Sequence, residues 1–415
     1  MTQLPDLTKD DVLRIVQGFA QVARSEGRAV RDVSLFLEVT TLEGFSMEQA
    51  EELAAASLRF FDLPVDENVG LRQELCSRTD LVDWASLLHA AWRGEYLCFY
   101  SSGSSGVPVR HRYSLRDLTD EAEVAAPFFT SRQRIVSVVP AHHIFGFMHS
   151  LWLSKLLAVP VAFAPPLPLA DFFSLLREGD VVMGFPFFWQ SLLTVVRQQG
   201  EGGSMRIPPD VMGVSATGPC PAWVINGLLD KRGSDGKSLI GMWEVYGSTE
   251  TNGLGIRDGG AEWYSLHAHW ATAMLPDGQK GLQRLRDGAL LGNPVPPPDV
   301  IAWHPTEDRL FRPERRTDKA VQVGGINVYP ERVAACIRTH SLVRECVVRL
   351  MRPDEGSRLK AFIVPACSLE EAAKAFGRPF RLWLAERLDT ASRPKRIRLG
   401  ETLPQNNMGK AADWD

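Results

Sequence analysis

The chain offers no stretch long and apolar enough to span a bilayer. The nearest one, LWLSKLLAVPVAFAPPLPL, is broken by Lys155 and several prolines. Charge of one sign is also scarce: the net charge is −4, which argues against nucleic acid or an anionic membrane as a dominant partner. No two cysteines stand in C-x-x-C spacing. Cys76, Cys98, Cys220, Cys336, Cys346 and Cys367 are scattered, a pattern that suits reduced thiols in a cytosol. The opening MTQLPDLTKDD is polar without an apolar h-region, so no export signal is expected. Internal repeats and low-complexity tracts are missing too. The expectation is a cytoplasmic protein that neither inserts into membrane nor binds nucleic acid.

What is present is ordinary globular composition, 45% hydrophobic and 23% charged over 415 residues, enough for two or three domains. Residues 1–92 read as helical, with Leu13, Ile15, Val16, Phe19, Ala20 and Val22 at helical spacing and a second amphipathic segment over Met47–Phe61. From residue 93 the pattern turns α/β. IVSVVP (135–140), VPVAFAP (159–165), DVVMGFP (180–186) and VMGVSAT (211–217) read as buried strands, and AWVINGLLDKR as a helix between them. Past a charged stretch at Arg315–Lys319, a smaller α+β region begins, in which VRECVVRLMR and KAFIVPA read as strands. The expected divisions are 1–92, 93–317 and 318–415.

Several short stretches carry chemistry. An apolar run, Tyr96–Tyr100, breaks into Ser101, Ser102, Gly103, Ser104, Ser105 and Gly106. Glycines let successive N–H groups face one point, and the hydroxyls add donors, a combination suited to phosphate oxygens. The loop has neither the Gly-Lys-Ser/Thr of a Walker A motif nor a G-x-G-x-x-G fingerprint, and alone such a cluster is more often a plain flexible loop. PAHHIFGF (140–147) places His142 and His143 at a strand exit. Adjacent histidines point apart, and packing is the bland alternative to a metal role. SATGP (215–219) is a small-residue strand exit where a planar ring can approach backbone. In WEVYGSTET (243–251), a flat aromatic, Tyr246, precedes a glycine turn, two hydroxyls and the Glu250 carboxylate, a set suited to stacking on a base and holding a hard cation.

Taken in order, SSGSSGVP, PAHHIFGF, SATGP, YGSTE, RTDKAVQVGGINVYPERV and LPQNNMGK resemble the motifs of the acyl-adenylate-forming superfamily, over residues 96–415. The resemblance implies an α/β fold: a large adenylate-forming domain and a small mobile α+β C-terminal domain, here preceded by a helical region. It implies an ATP-dependent carboxylate ligase using ATP and Mg2+. Ser101, Ser102, Gly103, Ser104, Ser105 and Gly106 are then expected on the β- and γ-phosphates, and Tyr246 on adenine beside Thr217 and Gly218. Thr249 is expected on the α-phosphate, Glu250 on the metal, and His143 near the acyl carboxylate. Asp299, with Asp308 as fallback, and Arg316 are expected on the ribose. Asp318 is the expected pivot, and Lys410 the catalytic lysine bridging carboxylate and α-phosphate. Such a reaction brings two anions together, so preorganised donors and a cation are what it needs.

The acceptor implied is a phosphopantetheine thiol, on an acyl carrier protein or on CoA. A carrier is preferred, because LEGFSM (42–47), a helix and Asp62-Leu63-Pro64 resemble an acyl carrier protein. Ser46 there matches the modified serine, while Phe45 stands where an acid belongs; the preferred reading of the segment itself is a helical cap with Ser46 as N-cap, ahead of a degenerate carrier-like domain. The expected substrate is a small carboxylic acid, an aromatic one such as a hydroxybenzoate before a medium-chain fatty acid, with Phe145, Phe147, Met183 and Trp189 near it. Three features depart from the family pattern. Val109 replaces the usual loop lysine, with Arg110 as an expected substitute charge; the large segment preceding the loop is replaced by the helices; and the adenine-side turn lacks a double glycine. A catalytically silent nucleotide- or carrier-binding relative is the rival reading.

Overall fold

The computed structural model describes residues 4–25, 39–101, 108–167, 170–199, 207–230, 240–316, 320–324, 326–352, 354–404 and 414. Two compact units meet in sequence at Arg315–Arg316.

In the larger unit, the N-terminal helices follow from local chemistry. Helix α1 (Lys9–Ser25) buries Val12, Ile15, Val16 and Ala20 along one stripe. Thr8 and Asp11 cap its start, the Asp11 N–H donating to Thr8 Oγ1 while Asp11 Oδ2 accepts from the Thr8 N–H. Helix α2 (Met47–Phe60) opens on Ser46, which forms a full capping box with Gln49; Ser46 therefore has the helix-cap geometry. Helices α3 (Val69–Cys76) and α4 (Leu81–Ala91) follow, the latter capped by Asp80. Leu53, Leu58, Phe60, Trp84 and Leu88 from these helices share one core with Leu97, Phe99, Phe147 and Trp152. Each such buried side chain is worth about 1.5–3 kcal/mol.

Strands β1 (Tyr96–Ser101) and β2 (Val109–Ser114) form an antiparallel hairpin, and helix α5 (Leu115–Ala125) follows, capped by Ser114. The main sheet, nine-stranded among the described residues, contains β3 (Arg134–Ser137), β4 (Val161–Phe163), β5 (Asp180–Gly184), β6 (Val211–Ser215), β7 (Ile240–Ser248), β8 (Asn252–Asp258) and β9 (Tyr264–Leu266). A separate three-stranded sheet follows, of β10 (Trp270–Met274), β11 (Lys280–Arg286) and β12 (Ala289–Val295). The main sheet is completed by β13 (Asp299–Trp303) and β14 (Leu310–Arg316), in the order β13-β14-β9-β8-β7-β6-β5-β3-β4. Strands β4, β3, β5, β6 and β7 run parallel. Parallel strands are covered on both faces, which is why β5 is buried throughout and reads as a continuous apolar run.

The smaller unit has the hairpin β15 (Val321–Val323) and β16 (Ile326–Val328), helix Pro330–Arg338, and a sheet of β17 (Val343–Leu350), β18 (Leu359–Pro365) and β19 (Arg396–Leu399). Its core gathers Val333, Ile337, Leu359, Ile363, Phe380 and Leu384. Trp414 is tied to this unit: Arg349 Nη2 donates to its carbonyl at 2.6 Å, and the guanidinium lies 4.9 Å from its ring centroid.

Candidate active site

The C-terminal ends of parallel strands are where open α/β sheets collect ligand-binding loops. Here that edge carries Pro140–His143 after β3, Ala216–Pro219 after β6, and Thr249 and Glu250 after β7. Three of the motifs singled out in the sequence thus leave one edge of one sheet. That convergence is a consequence of topology, since each parallel strand delivers its exit to the same side.

The β7 exit is a tight turn back into β8. Ser248 Oγ accepts from the N–H groups of Glu250 and Thr251, both at 3.2 Å. A bulge lies between Tyr246 and Gly247, and a Cβ on Gly247 would stand 2.1 Å from the Asn252 carbonyl oxygen, so only glycine fits. The hairpin β1–β2 docks onto this turn by one face. Alternation along β2 puts Val109, His111 and Tyr113 on that face and Arg110 and Arg112 on the other. Tyr113 Oη donates to the Thr249 carbonyl at 2.7 Å. His111 Nε2 lies 2.9 Å from Ser101 Oγ and 3.8 Å from Glu250 Oε1. The first serine of the Gly/Ser segment and the signature glutamate therefore meet at one imidazole. Glu250 remains 45% exposed against 15% for the His111 side chain. Burial pulls the His111 pKa down and the Glu250 charge opposes that shift.

Tyr246 and Asp299 are joined directly, Tyr246 Oη donating to Asp299 Oδ2 at 2.7 Å. Asp299 opens β13, four strand positions from β7. In a flat sheet that is about 19 Å, so this side of the sheet curls, wrapping Tyr246, Trp303 and Ile301 around Leu254, Tyr264 and Phe311. Asp308, the fallback, instead pairs with Lys280 at 3.0 Å with its side chain 90% exposed. Thr217 sits at φ +71°, left-handed backbone unfavourable to a β-branched residue, at an exposed turn beside Gly218. Arg316 ends β14.

Other expectations part company with the geometry. Arg110 does not stand in for a loop lysine. It lies on the opposite face of the hairpin from Glu250, where its guanidinium donates to Asp62, which also accepts from Arg112 Nε at 2.9 Å. Phe145, Phe147, Met183 and Trp189 do not line one pocket. Phe147 belongs to the core under the N-terminal helices, Trp189 to the core beneath the helix Pro186–Gln199, and only Phe145 and Met183 share a cluster. Of the two histidines, His142 is buried against Phe19, with ring centroids 4.5 Å apart, while His143 is the exposed N-cap of the helix at Ile144. Ser102, Gly103, Ser104, Ser105, Gly106, Asp318 and Lys410 lie outside the described residues.

Behind the turn sits a group that sequence reasoning missed. Glu121, buried on α5, accepts the Gly253 N–H at 2.7 Å through Oε1, and burial pushes its pKa up to about 8. The Gly253 carbonyl accepts from His269 Nε2 at 3.2 Å and Trp270 Nε1 at 3.1 Å. Glu121, Tyr113 and His111 become visible only through register and packing. The sole sequence hint is the alternating VRHRY after the loop.

Among the described residues no cluster of three or more metal-ligating side chains is assembled. A magnesium ion that arrives with phosphates needs only one or two carboxylates and keeps several waters. The single, half-exposed Glu250 carboxylate fits that kind of ion.

No protein-family model matches the chain. It is 31% identical over 424 aligned positions to a 4-coumarate–CoA ligase of Halorhodospira halophila, covering 97% of this chain and 99% of the relative. A protein of the same name from Rhodobacter capsulatus is 29% identical over 389 positions, with 90% of each covered. Among solved structures, a double mutant of the o-succinylbenzoate CoA synthetase of Bacillus subtilis matches with a TM-score of 0.62 at 16% identity, over 97% of this chain and 91% of that one. A malonyl-CoA ligase matches at 0.52 and 19% identity, over 74% and 71%. The structural likenesses show the fold.

Proposed function

The chain belongs to the acyl-adenylate-forming superfamily, and on that premise we propose that it activates a phenolic aromatic acid as its acyl-AMP and passes the acyl group to the thiol of CoA. It is an ATP-dependent acid–thiol ligase. The acid, the acceptor and the residue roles are the proposal. The observation that supports it is that His111 Nε2 lies 2.9 Å from Ser101 Oγ and 3.8 Å from Glu250 Oε1, so that Ser101 and the signature turn share one imidazole.

In this reading Tyr246 covers the adenine and Asp299 takes the ribose hydroxyls, its carboxylate oriented by the Tyr246 hydroxyl. Thr217 and Gly218 line the base slot. Ser101–Gly106 and Thr249 hold the phosphates, Arg316 reaches the ribose, and Glu250 holds the metal. Bound Mg2+ supplies charge neutralisation at the phosphate oxygens. Lys410 offers an ammonium to the carboxylate and α-phosphate oxygens, and His143 lies toward the acid. One preorganised donor of this kind is worth on the order of 10²–10³ in rate.

The relatives named for 4-coumarate support a hydroxycinnamate- or hydroxybenzoate-type acid. The same names favour CoA over the carrier protein preferred from sequence. Pyrophosphate exchange across a panel of carboxylic acids tests the reading. Exchange with phenolic acids is expected, and no exchange with any acid despite MgATP binding would favour a silent relative. Offering CoA or a phosphopantetheinylated carrier to the loaded enzyme separates the acceptors; transfer only to the carrier would overturn CoA.

A further inference from the structure

We propose that His111 is a positioning residue that holds the stem of the Gly/Ser segment and the Glu250 carboxylate in one geometry for the magnesium nucleotide. This rests on the reading that those two elements receive MgATP. Residue 111 is fixed from both sides. In the hairpin register it faces Phe99, and Ser101 pairs with Val109, so the Ser101 hydroxyl stands diagonally across from the ring and meets Nε2 at 2.9 Å. Two residues further along the same face, Tyr113 anchors the hairpin to the Thr249 carbonyl at 2.7 Å. The ring therefore cannot slide along the turn without breaking one of these bonds.

Glu250 Oε1 stands 3.8 Å from the same nitrogen, beyond hydrogen-bonding range. The carboxylate is steered but not consumed, and its oxygens remain available for a cation. An exposed glutamate otherwise spreads over several rotamers, whose loss has to be met when a ligand binds. A ring beside it restricts those rotamers beforehand. At the Ser101 end, the same ring fixes the residue from which the Gly/Ser segment departs.

Calorimetric titration of the full-length protein with MgATP tests this, using wild type, His111→Ala and His111→Gln. His111→Ala is expected to weaken MgATP about tenfold, the size of one lost polar contact, and His111→Gln, which keeps a donor, to stay within about threefold of wild type. Transfer from supplied acyl-adenylate should change less than about twofold, because the adenylate lacks the β- and γ-phosphates. In a Glu250→Gln background, His111→Ala should add little, since the two act together. Unchanged MgATP affinity in folded His111→Ala, equal losses toward MgATP and adenylate, or full additivity with Glu250→Gln would each overturn the proposal. If His111→Ala does not fold, the same titration and double-variant comparison on His111→Leu, which fills the space without a polar atom, decide it, and unchanged MgATP affinity or full additivity with Glu250→Gln would overturn it. A wild type that binds MgATP but exchanges pyrophosphate with no acid would sink the ligase reading and leave the His111 comparison readable. A wild type that binds no MgATP would sink both.

Discussion

The Tyr246 hydroxyl and the Asp299 carboxylate, 53 residues apart in sequence, share a 2.7 Å hydrogen bond across a sheet that must curl to bring them together. The bond presents Asp299 beside the aromatic ring. If Asp299 holds the ribose, Asp299→Asn should raise the KM for ATP roughly 10- to 100-fold, the range for a charge-assisted hydrogen bond. Tyr246→Phe keeps the ring and loses only the orienting bond, so a rise of about 3- to 10-fold is expected. The measurement is ATP-dependent pyrophosphate exchange, and a larger effect for Tyr246→Phe would contradict these assignments.

Thr217 at φ +71° gives a prediction about stability. Left-handed backbone costs a residue with a Cβ about 1–2 kcal/mol, and glycine regains much of that while paying more chain entropy. Thr217→Gly should therefore raise the urea midpoint, equivalent to about 0.5–1 kcal/mol. A lower midpoint would mean that the threonine side chain contributes more than its backbone costs.

Glu121 predicts an alkaline trend. Its folded pKa is raised to about 8 by burial, from an ordinary 4.5, so the unfolded chain releases the proton first. The stability this group contributes is fully present below about pH 4.5 and is lost as pH rises toward 8, with a limiting slope of about 1.4 kcal/mol per pH unit for one proton. Glu121→Gln can still accept the Gly253 N–H and should lack this slope. Thermal melts from pH 5 to 9 should show the variant gaining on wild type as pH rises. On the acid side, burial lowers His149 to about 4, His267 to about 3 and His269 to about 2. Stability from these neutral rings is present above about pH 6.5 and falls as pH drops through those values.

Lys410→Ala should reduce adenylation by on the order of 10²–10³ while sparing acyl transfer from supplied acyl-AMP. Half-reaction assays check this, and equal loss of both steps would contradict a lysine dedicated to adenylation.

Much of the architecture was legible from residues alone. The runs at 180–186 and 211–217 read as buried strands because parallel strands are apolar on both faces, and β5 and β6 lie there. Ser46 read as an N-cap because a serine at a helix start offers its oxygen to the first-turn N–H groups, and the structure adds a capping box with Gln49. Local chemistry of this kind involves residues within one turn of each other, and a sequence displays such neighbours directly.

Sequence order determined which motifs exist and that several follow apolar, strand-like runs; tertiary structure decided which side chains meet. Arg110 looked like a substitute for a loop lysine because it is adjacent in sequence, yet β2 alternation turns it to Asp62 and turns His111 to Glu250. Phe147 and Trp189 looked like pocket residues and belong to separate cores. Glu121, 132 residues before Gly253, had no signal at all. The physical reason is that a strand's period of two and the pairing register, set over long sequence separations, fix the direction of every side chain, and neither can be read from the spacing of motifs.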